Sequence, residues 1–388
     1  MTMRKREHPS LNLHQRVWRN GCAALQALTT LVVLAACGGE PTGSDDGTAA
    51  SVVWQRATPP TQIGDGIPSI AASATGVFIG YFSTLTAMRP IDGAVLWQRR
   101  GGAGTATPTF RPVVFGDSVV AALSGGTSVG YRQLTGDVLW SRTIPGPALT
   151  SQPTVAGPYG VFGTFLGELW AIEGLTGATR RLATMAQLSD TTAAAIWGTT
   201  SRGDTVVVFV QRSHPNGELG DFFVTRILAS SGEVVSRSRI ARQDGEFPEN
   251  RPFFVVDTVA VLPISGCGIG VDVRTGRRLW RQCGKARVLR NGLLYAERAV
   301  SDIRVVDPHT GALVRTITTG GSSLFDVYPC REGLVYSAFS LNIVDDRSGA
   351  RARAVQGSTQ DDGYTTLARH GNTLYAHGER VITALACN

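Results

Sequence analysis

From about residue 51 onward the hydrophobic positions come in short runs broken by polar turns. The stretch 252–281 shows the rhythm: apolar runs at 252–256, 259–262 and 268–272, then a fourth run at 278–281. Runs of this length, bounded by Gly, Thr, Asp and Ser, predict strands. The turn before the fourth run recurs along the chain. It reads Asp92-Gly93-Ala94-Val95-Leu96-Trp97, Thr135-Gly136-Asp137-Val138-Leu139-Trp140 and Thr275-Gly276-Arg277-Arg278-Leu279-Trp280. Weaker copies stand at Thr176-Gly177, Ser231-Gly232, Thr310-Gly311 and Ser348-Gly349. The turn glycines are separated by 43, 41, 55, 44, 35 and 38 residues. A period near forty with four strands per repeat predicts an all-β fold of the β-propeller type, one sheet per blade. The Gly supplies a left-handed backbone between third and fourth strands, and the Trp is a flat apolar body suited to the gap between two blades.

The ends of the pattern predict how the ring closes. Val52-Val53-Trp54-Gln55-Arg56 repeats Val95-Leu96-Trp97-Gln98-Arg99, so the domain opens on a fourth strand without its repeat. Residues 373–376 and 381–385 read as second and third strands that lack a fourth. Pairing the two ends in one blade removes the free sheet edges of an open array. Seven repeats plus this shared one predict eight blades; seven blades is the alternative if the copy at Ser348-Gly349 is not a true repeat.

The first 36 residues break the pattern. Arg4, Lys5, Arg6, Arg16 and Arg19 precede an apolar stretch from Cys22 to Ala36, too short to span a bilayer comfortably, which reads as a secretory leader. An ordinary leader with an incidental Cys, or an uncleaved anchor, are the alternatives. Residues 37–50, rich in Gly, Ser, Thr and Asp, read as a flexible tether, which leaves 51–388 for the propeller. The formal charge of +7 is largely a property of the leader. Of 37 Lys and Arg and 30 Asp and Glu, five bases and one acid fall in 1–36, leaving 32 against 29. The remaining bases are Arg except Lys285 and form no stripe, so nucleic acid is not an expected partner.

Beyond Cys22 and Cys37, four cysteines remain, Cys267, Cys283, Cys330 and Cys387, and four allow three connectivities. Cys267 and Cys283 lie eight residues either side of Thr275, which sets them opposite each other in a regular hairpin. Cys330 closes a first strand and Cys387 the last strand of the chain, so both fall on one face of adjacent blades. Free buried thiols are the alternative for both pairs. No pair has metal-ligand spacing, and no metal is expected.

The phrase Asp272-x-x-Thr275-Gly276-x-x-x-Trp280 resembles the quinoprotein-like propellers with pyrroloquinoline-quinone-type repeats, over the chain from about Val52 to its end. Leu34-Ala35-Ala36-Cys37 resembles a bacterial lipobox, which implies lipidation of Cys37, and Gly38 in place of Asp implies, by likeness to enterobacterial sorting, the outer membrane facing the periplasm. The combination is similar to the propeller lipoproteins of the outer-membrane β-barrel assembly machinery. That resemblance implies a non-enzymatic scaffold with protein partners in the cell envelope and no cofactor. A quinone-dependent dehydrogenase would instead need adjacent cysteines and an acidic calcium site. The pairs Asp45-Asp46, Asp345-Asp346 and Asp361-Asp362 read as solvated turns.

Other chemical signals are weak. Gly126-Thr127-Ser128-Val129-Gly130 matches a nucleophile elbow only in spelling, because no helix follows; it reads as a Gly-rich turn between strands. Gly266-Cys267-Gly268-Ile269-Gly270 lacks the helix of a dinucleotide loop. His214, His309, His370 and His377 read as surface or turn residues. Surface loops are left as the functional candidates. The fourth repeat carries about a dozen extra residues at 212–221, and the connector 242–251 is long. Both should emerge on one face, with Leu219 and Phe247 as apolar anchors in charged rims. A binding module for a polysaccharide or small molecule at the channel mouth is the competing expectation.

Overall fold

The computed structural model describes residues 51–57, 69–80, 84–100, 112–124, 127–144, 153–164, 166–190, 194–213, 219–249, 252–299, 302–319, 325–330, 333–337, 340–345, 353–355 and 364–387. They form eight antiparallel four-stranded sheets, the blades of a closed propeller. In chain order the blades span 69–100, 113–143, 154–183, 194–240, 254–283, 285–318 and 326–354. The eighth joins 366–386 to the strand Ser51–Ala57. The weak turn at Ser348-Gly349 lies outside the described residues, but its blade is present, with a short fourth strand Arg353–Ala354. The count is eight.

Ring closure is a strand exchange. Ser51–Ala57 pairs antiparallel with Val381–Ala386, Ser51 opposite Ala386 and Ala57 opposite Val381. A chain that closes its ring this way leaves no blade with an unfinished outer strand at the seam.

The repeated Gly and Trp are two halves of one contact. Trp97, on the fourth strand of blade 1, packs against Gly136 in the turn of blade 2, where an added Cβ would sit 2.6 Å from the indole. Gly136 also has φ +69°, so only Gly meets both demands cheaply. The Trp97 indole N–H donates to the Gln133 carbonyl at 2.7 Å, three residues before that glycine. The same carbonyl position is used at each described junction from blade 8 to blade 6. Trp54 donates to Pro90, Trp140 to Gly174 and Trp280 to Pro308. Where Trp is lost, another donor takes over: Arg180 to the Ala229 carbonyl and Ser238 to Val273. A second clasp sits two residues after each Trp, where Arg56, Arg99, Arg142 or Gln282 donates to carbonyls of the next turn.

The core is therefore distributed between blades rather than central. One cluster joins Phe78, Leu85, Ala87 and Trp97 of blade 1 to Val120, Ala122, Val129 and Tyr131 of blade 2. Another joins Phe115 and Trp140 of blade 2 to Phe162 and Ile172 of blade 3. Cys267 stands directly opposite Cys283 in blade 5, and a disulfide links them. A second disulfide links Cys330 of blade 7 to Cys387 beyond the third strand of blade 8.

Three sequence expectations change. Half of the extra residues of the fourth repeat, 212–213 and 219–221, are strand: its second and third strands run Thr205–Ser213 and Leu219–Leu228, and Ser213 still pairs with Leu219. The reason is the apolar run from Val206 to Val210, buried on both faces between neighbouring blades. The elbow-like motif is not a turn, because Thr127 through Gly130 lie inside the strand Thr127–Arg132, with Ser128 buried. Its last glycine makes room for Trp140, whose ring would lie 2.2 Å from a Cβ there; Gly270 does the same for Trp280. Finally, His377 is fully buried rather than at the surface.

Candidate interaction surface

The connector after blade 4 is held as a strap. Its chain lies along the turn between second and third strands of blade 5: the Phe247 N–H donates to Ser265 Oγ at 3.0 Å, Ser265 N–H to the Phe247 carbonyl at 3.0 Å, and Glu249 N–H to the Pro263 carbonyl at 3.0 Å. Pro248 bridges to Ile264. Proline inside the strap fits this edge position, because it has no N–H to leave unpaired.

Two acids fix the strap to its neighbours. Glu246 is only 3% exposed and accepts both ends of the Arg278 guanidinium, at 2.7 and 2.6 Å, with Gln243 N–H at 3.0 Å and Arg281 at 3.8 Å. Burial raises its pKa, yet the Arg278 bonds, the Gln243 N–H and the charges of Arg278 and Arg281 together hold the carboxyl below its ordinary value. Asp221, on the lengthened third strand of blade 4, accepts the Arg242 N–H at 3.0 Å and the Arg239 guanidinium at 2.6 Å. Burial opposes its ionisation too, but the Arg242 N–H and the charges of Arg239 and Arg212 win, and its pKa is lowered. Both groups stay anionic at neutral pH, and the pairing makes a rigid base for the strap.

The structure thus brings the lengthened hairpin and the connector together through Asp221 and Arg242. Phe247 projects from the strap and is 54% exposed. Leu219 opens its strand in register with Ser213, and its side chain lies outside the described residues, as does His214. Sequence reading named the two segments as loops; it did not show that acid–arginine pairs would stiffen them. The signal was present as Glu246 and Asp221 in apolar surroundings.

First strands of the blades line the central channel. A cavity of about 430 Å³ is bounded by Ser69, Phe254, Arg287, Asp326, Tyr328, Thr366 and Arg369, among others. Arg287 pairs with Glu297 at 2.5 Å and donates to the Phe325 carbonyl at 3.1 Å. Arg369 lies 5.8 Å over the Tyr328 ring. The wall mixes cation, anion, aromatic and hydroxyl groups without a dominant sign. Among the described residues no group of three or more His, Cys, Asp or Glu is placed to hold a metal ion. His309 sits exposed in its turn, 3.7 Å from Asp257.

His377 ends the second strand of blade 8, and its carbonyl accepts Thr365 N–H at 3.0 Å. Burial lowers its pKa to about 4 against 6.5 in the open chain, and a backbone hydrogen bond only partly offsets this. The unfolded chain therefore binds the proton first on acidification. The stability tied to neutral His377 is complete above about pH 6.5 and is lost as pH falls to about 4, by about 3 kcal/mol in all. Denaturant melts between pH 7.5 and pH 4.5 should show this loss in the wild type and a flatter curve in His377→Gln. Equal slopes would mean that the imidazole protonates in place.

Comparison with known proteins places this geometry among the propellers. The family model described as "Outer membrane protein assembly factor BamB" matches residues 44–222. The crystal structure of BamB from Moraxella catarrhalis superposes with a TM-score of 0.60 at 15% identity, over 86% of this chain and 99% of that one. The computationally designed Ika8 protein superposes with a TM-score of 0.59, also at 15% identity, over 87% of this chain and 97% of that one. No curated protein matches the sequence. The chain is similar to BamB in sequence over its first blades and in fold over most of its length, and a shared fold does not by itself assign an activity.

Proposed function

We propose that this chain is a lipid-anchored, non-enzymatic propeller that serves as a protein-interaction scaffold on the periplasmic side of the outer membrane, in a role like that of BamB. The observation that carries the reading is the match of the assembly-factor family model to residues 44–222 of a chain that closes into eight blades. In this reading residues 1–36 are the leader, Cys37 carries lipid, 37–50 is the tether and 51–388 is the working domain. The mechanism is docking alone. Rigid blades present the Phe247 strap and the hairpin beside it to a partner, and their acid–arginine pairs limit the ordering cost of binding. The channel cavity supports a second reading, a small-molecule binder, since it is concave and polar at several points.

Crosslinking in native membranes, followed by mass spectrometry, separates the two. The expected result is capture of envelope assembly proteins, reduced at least tenfold when 242–249 is replaced by a short Gly-Ser turn. Capture that is indifferent to this replacement would remove the strap from the proposal. Absence of any protein partner would overturn the scaffold reading in favour of the channel.

A further inference from the structure

The turns between third and fourth strands form the face opposite the Phe247 strap, and they are not alike. Two residues before the turn glycine, blades 1, 2 and 3 carry Ile91, Leu134 and Leu175, which are 77%, 57% and 66% exposed. Blades 4, 5 and 6 carry Ser230, Arg274 and His309 at the same position. Single exposed aliphatics are ordinary on a protein surface. Three at one turn position in three consecutive blades are a patterned surface, and the outward Val53, Val95 and Val138 on neighbouring fourth strands extend it. Trp54, Trp97 and Trp140 fasten these three turns from behind, so the tips stand on a fixed frame.

Each tip has a guanidinium beside it. Arg56 donates to the Asp92 carbonyl at 2.9 Å, Arg99 to the Gly136 carbonyl at 2.7 Å and Arg142 to the Thr176 carbonyl at 3.2 Å. An aliphatic tip with one arginine beside it, and with its neighbouring acid (Asp92, Asp137 or Glu173) already engaged by Arg89, Thr135 or Thr176, suits the boundary between acyl chains and phosphate headgroups. The chain also enters the fold here. Ser51 pairs with Ala386 at the end of the third strand of blade 8, which is the turn face, and Trp54 and Arg56 touch the blade 1 turn that bears Ile91.

We propose that the arc of turns at Ile91, Leu134 and Leu175 is the bilayer-facing surface of the propeller, seated on phospholipid. The proposal rests on the lipid-anchor reading of Cys37. Thirteen residues separate Cys37 from Ser51. Even fully extended, a stretch of that length reaches at most about 50 Å. A tether that short, rooted on the turn face, holds that face nearest the bilayer and leaves the strap facing away, free for a protein partner. The polar tips of blades 4 to 6 then lift from the surface, and the propeller sits tilted.

The test uses full-length lipidated protein in vesicles of phosphatidylethanolamine and phosphatidylglycerol. An environment-sensitive fluorophore is placed on Leu134→Cys or Ile91→Cys, with Asp244→Cys on the strap as the reference. Quenching by lipids that carry a nitroxide on the acyl chain should be at least threefold stronger at the two turn positions than at 244. Equal quenching at all three, with the protein still sedimenting with vesicles, would overturn the orientation while leaving the anchor standing. Sedimentation that is absent, or unchanged in Cys37→Ala, would overturn the anchor and the proposal with it. A label shielded from water but not quenched by lipid would overturn the proposal and assign the arc to contact with a second copy of this chain.

Discussion

Trp97→Ala is expected to destabilise the propeller by about 3–5 kcal/mol, the range for deleting a large buried aromatic. The side chain is 7% exposed and touches both blades that it joins, with Tyr131 of the second blade 5.8 Å away between ring centroids. Its removal leaves a cavity between sheets that cannot collapse, because the backbones on either side are fixed by their own ladders. It also strips the Gln133 carbonyl of its indole donor, a further loss of order 1 kcal/mol. Trp97→Phe separates the two contributions, since the ring remains and only the N–H is lost; its cost should be about 1–2 kcal/mol. Equilibrium denaturation of both variants gives the numbers. A cost under 1 kcal/mol for Trp97→Ala would mean that the junction is held by its flanking clasp, Arg99 on the Gly136 carbonyl, and not by the indole.

That contact explains why the architecture was legible in the chain. The Gly and the Trp are four residues apart in sequence but belong to different junctions: Gly93, Gly136, Gly177 and Gly311 each receive the Trp of the blade before, while Gly232 and Gly276 meet that blade's backbone. A motif that must fit both neighbours repeats wherever a blade repeats. The count of eight followed because Val52 to Arg56 keeps the same pairing demands away from its repeat. What was not legible lies where the partner is remote. Nothing near His377 in sequence shows its burial, which comes from blades brought together by the ring. Nor does the spelling of the 242–249 connector show that Arg278, 32 residues beyond Glu246, closes on it. Strand lengths in blade 4 are hidden for a plainer reason. Gln211, Arg212, Ser213, Gly220 and Asp221 have no apolar pattern, so their pairing shows only in the ladder that extends from the apolar run at 206–210. Ile91, Leu134 and Leu175 are legible once the repeats are aligned, each two residues before its turn glycine.

The second large effect concerns closure. Cys330→Ala with Cys387→Ala is expected to cost about 4 kcal/mol, because the linked residues are 57 apart and the open chain gains the entropy of that loop. The pair Cys267 and Cys283, 16 apart within one hairpin, should cost about 3 kcal/mol by the same argument. The two losses should differ in kind as well as size. The hairpin bridge joins strands already paired across blade 5. The longer bridge ties the end of a first strand in blade 7 to the seam blade, whose outer strand comes from the opposite end of the domain. Without it, blade 8 retains its Trp54 clasp to blade 1 on one side and loses its covalent tie on the other. Hydrogen exchange in the double variant should therefore speed up first in 366–386 and in Ser51–Ala57, ahead of global unfolding. Both sulfurs are buried, with Cys387 wholly so, and a reductant should attack the wild type only at the rate of this local opening. Uniform loss of protection around the ring would mean that the propeller opens as one unit and that the bridge acts only on the unfolded chain.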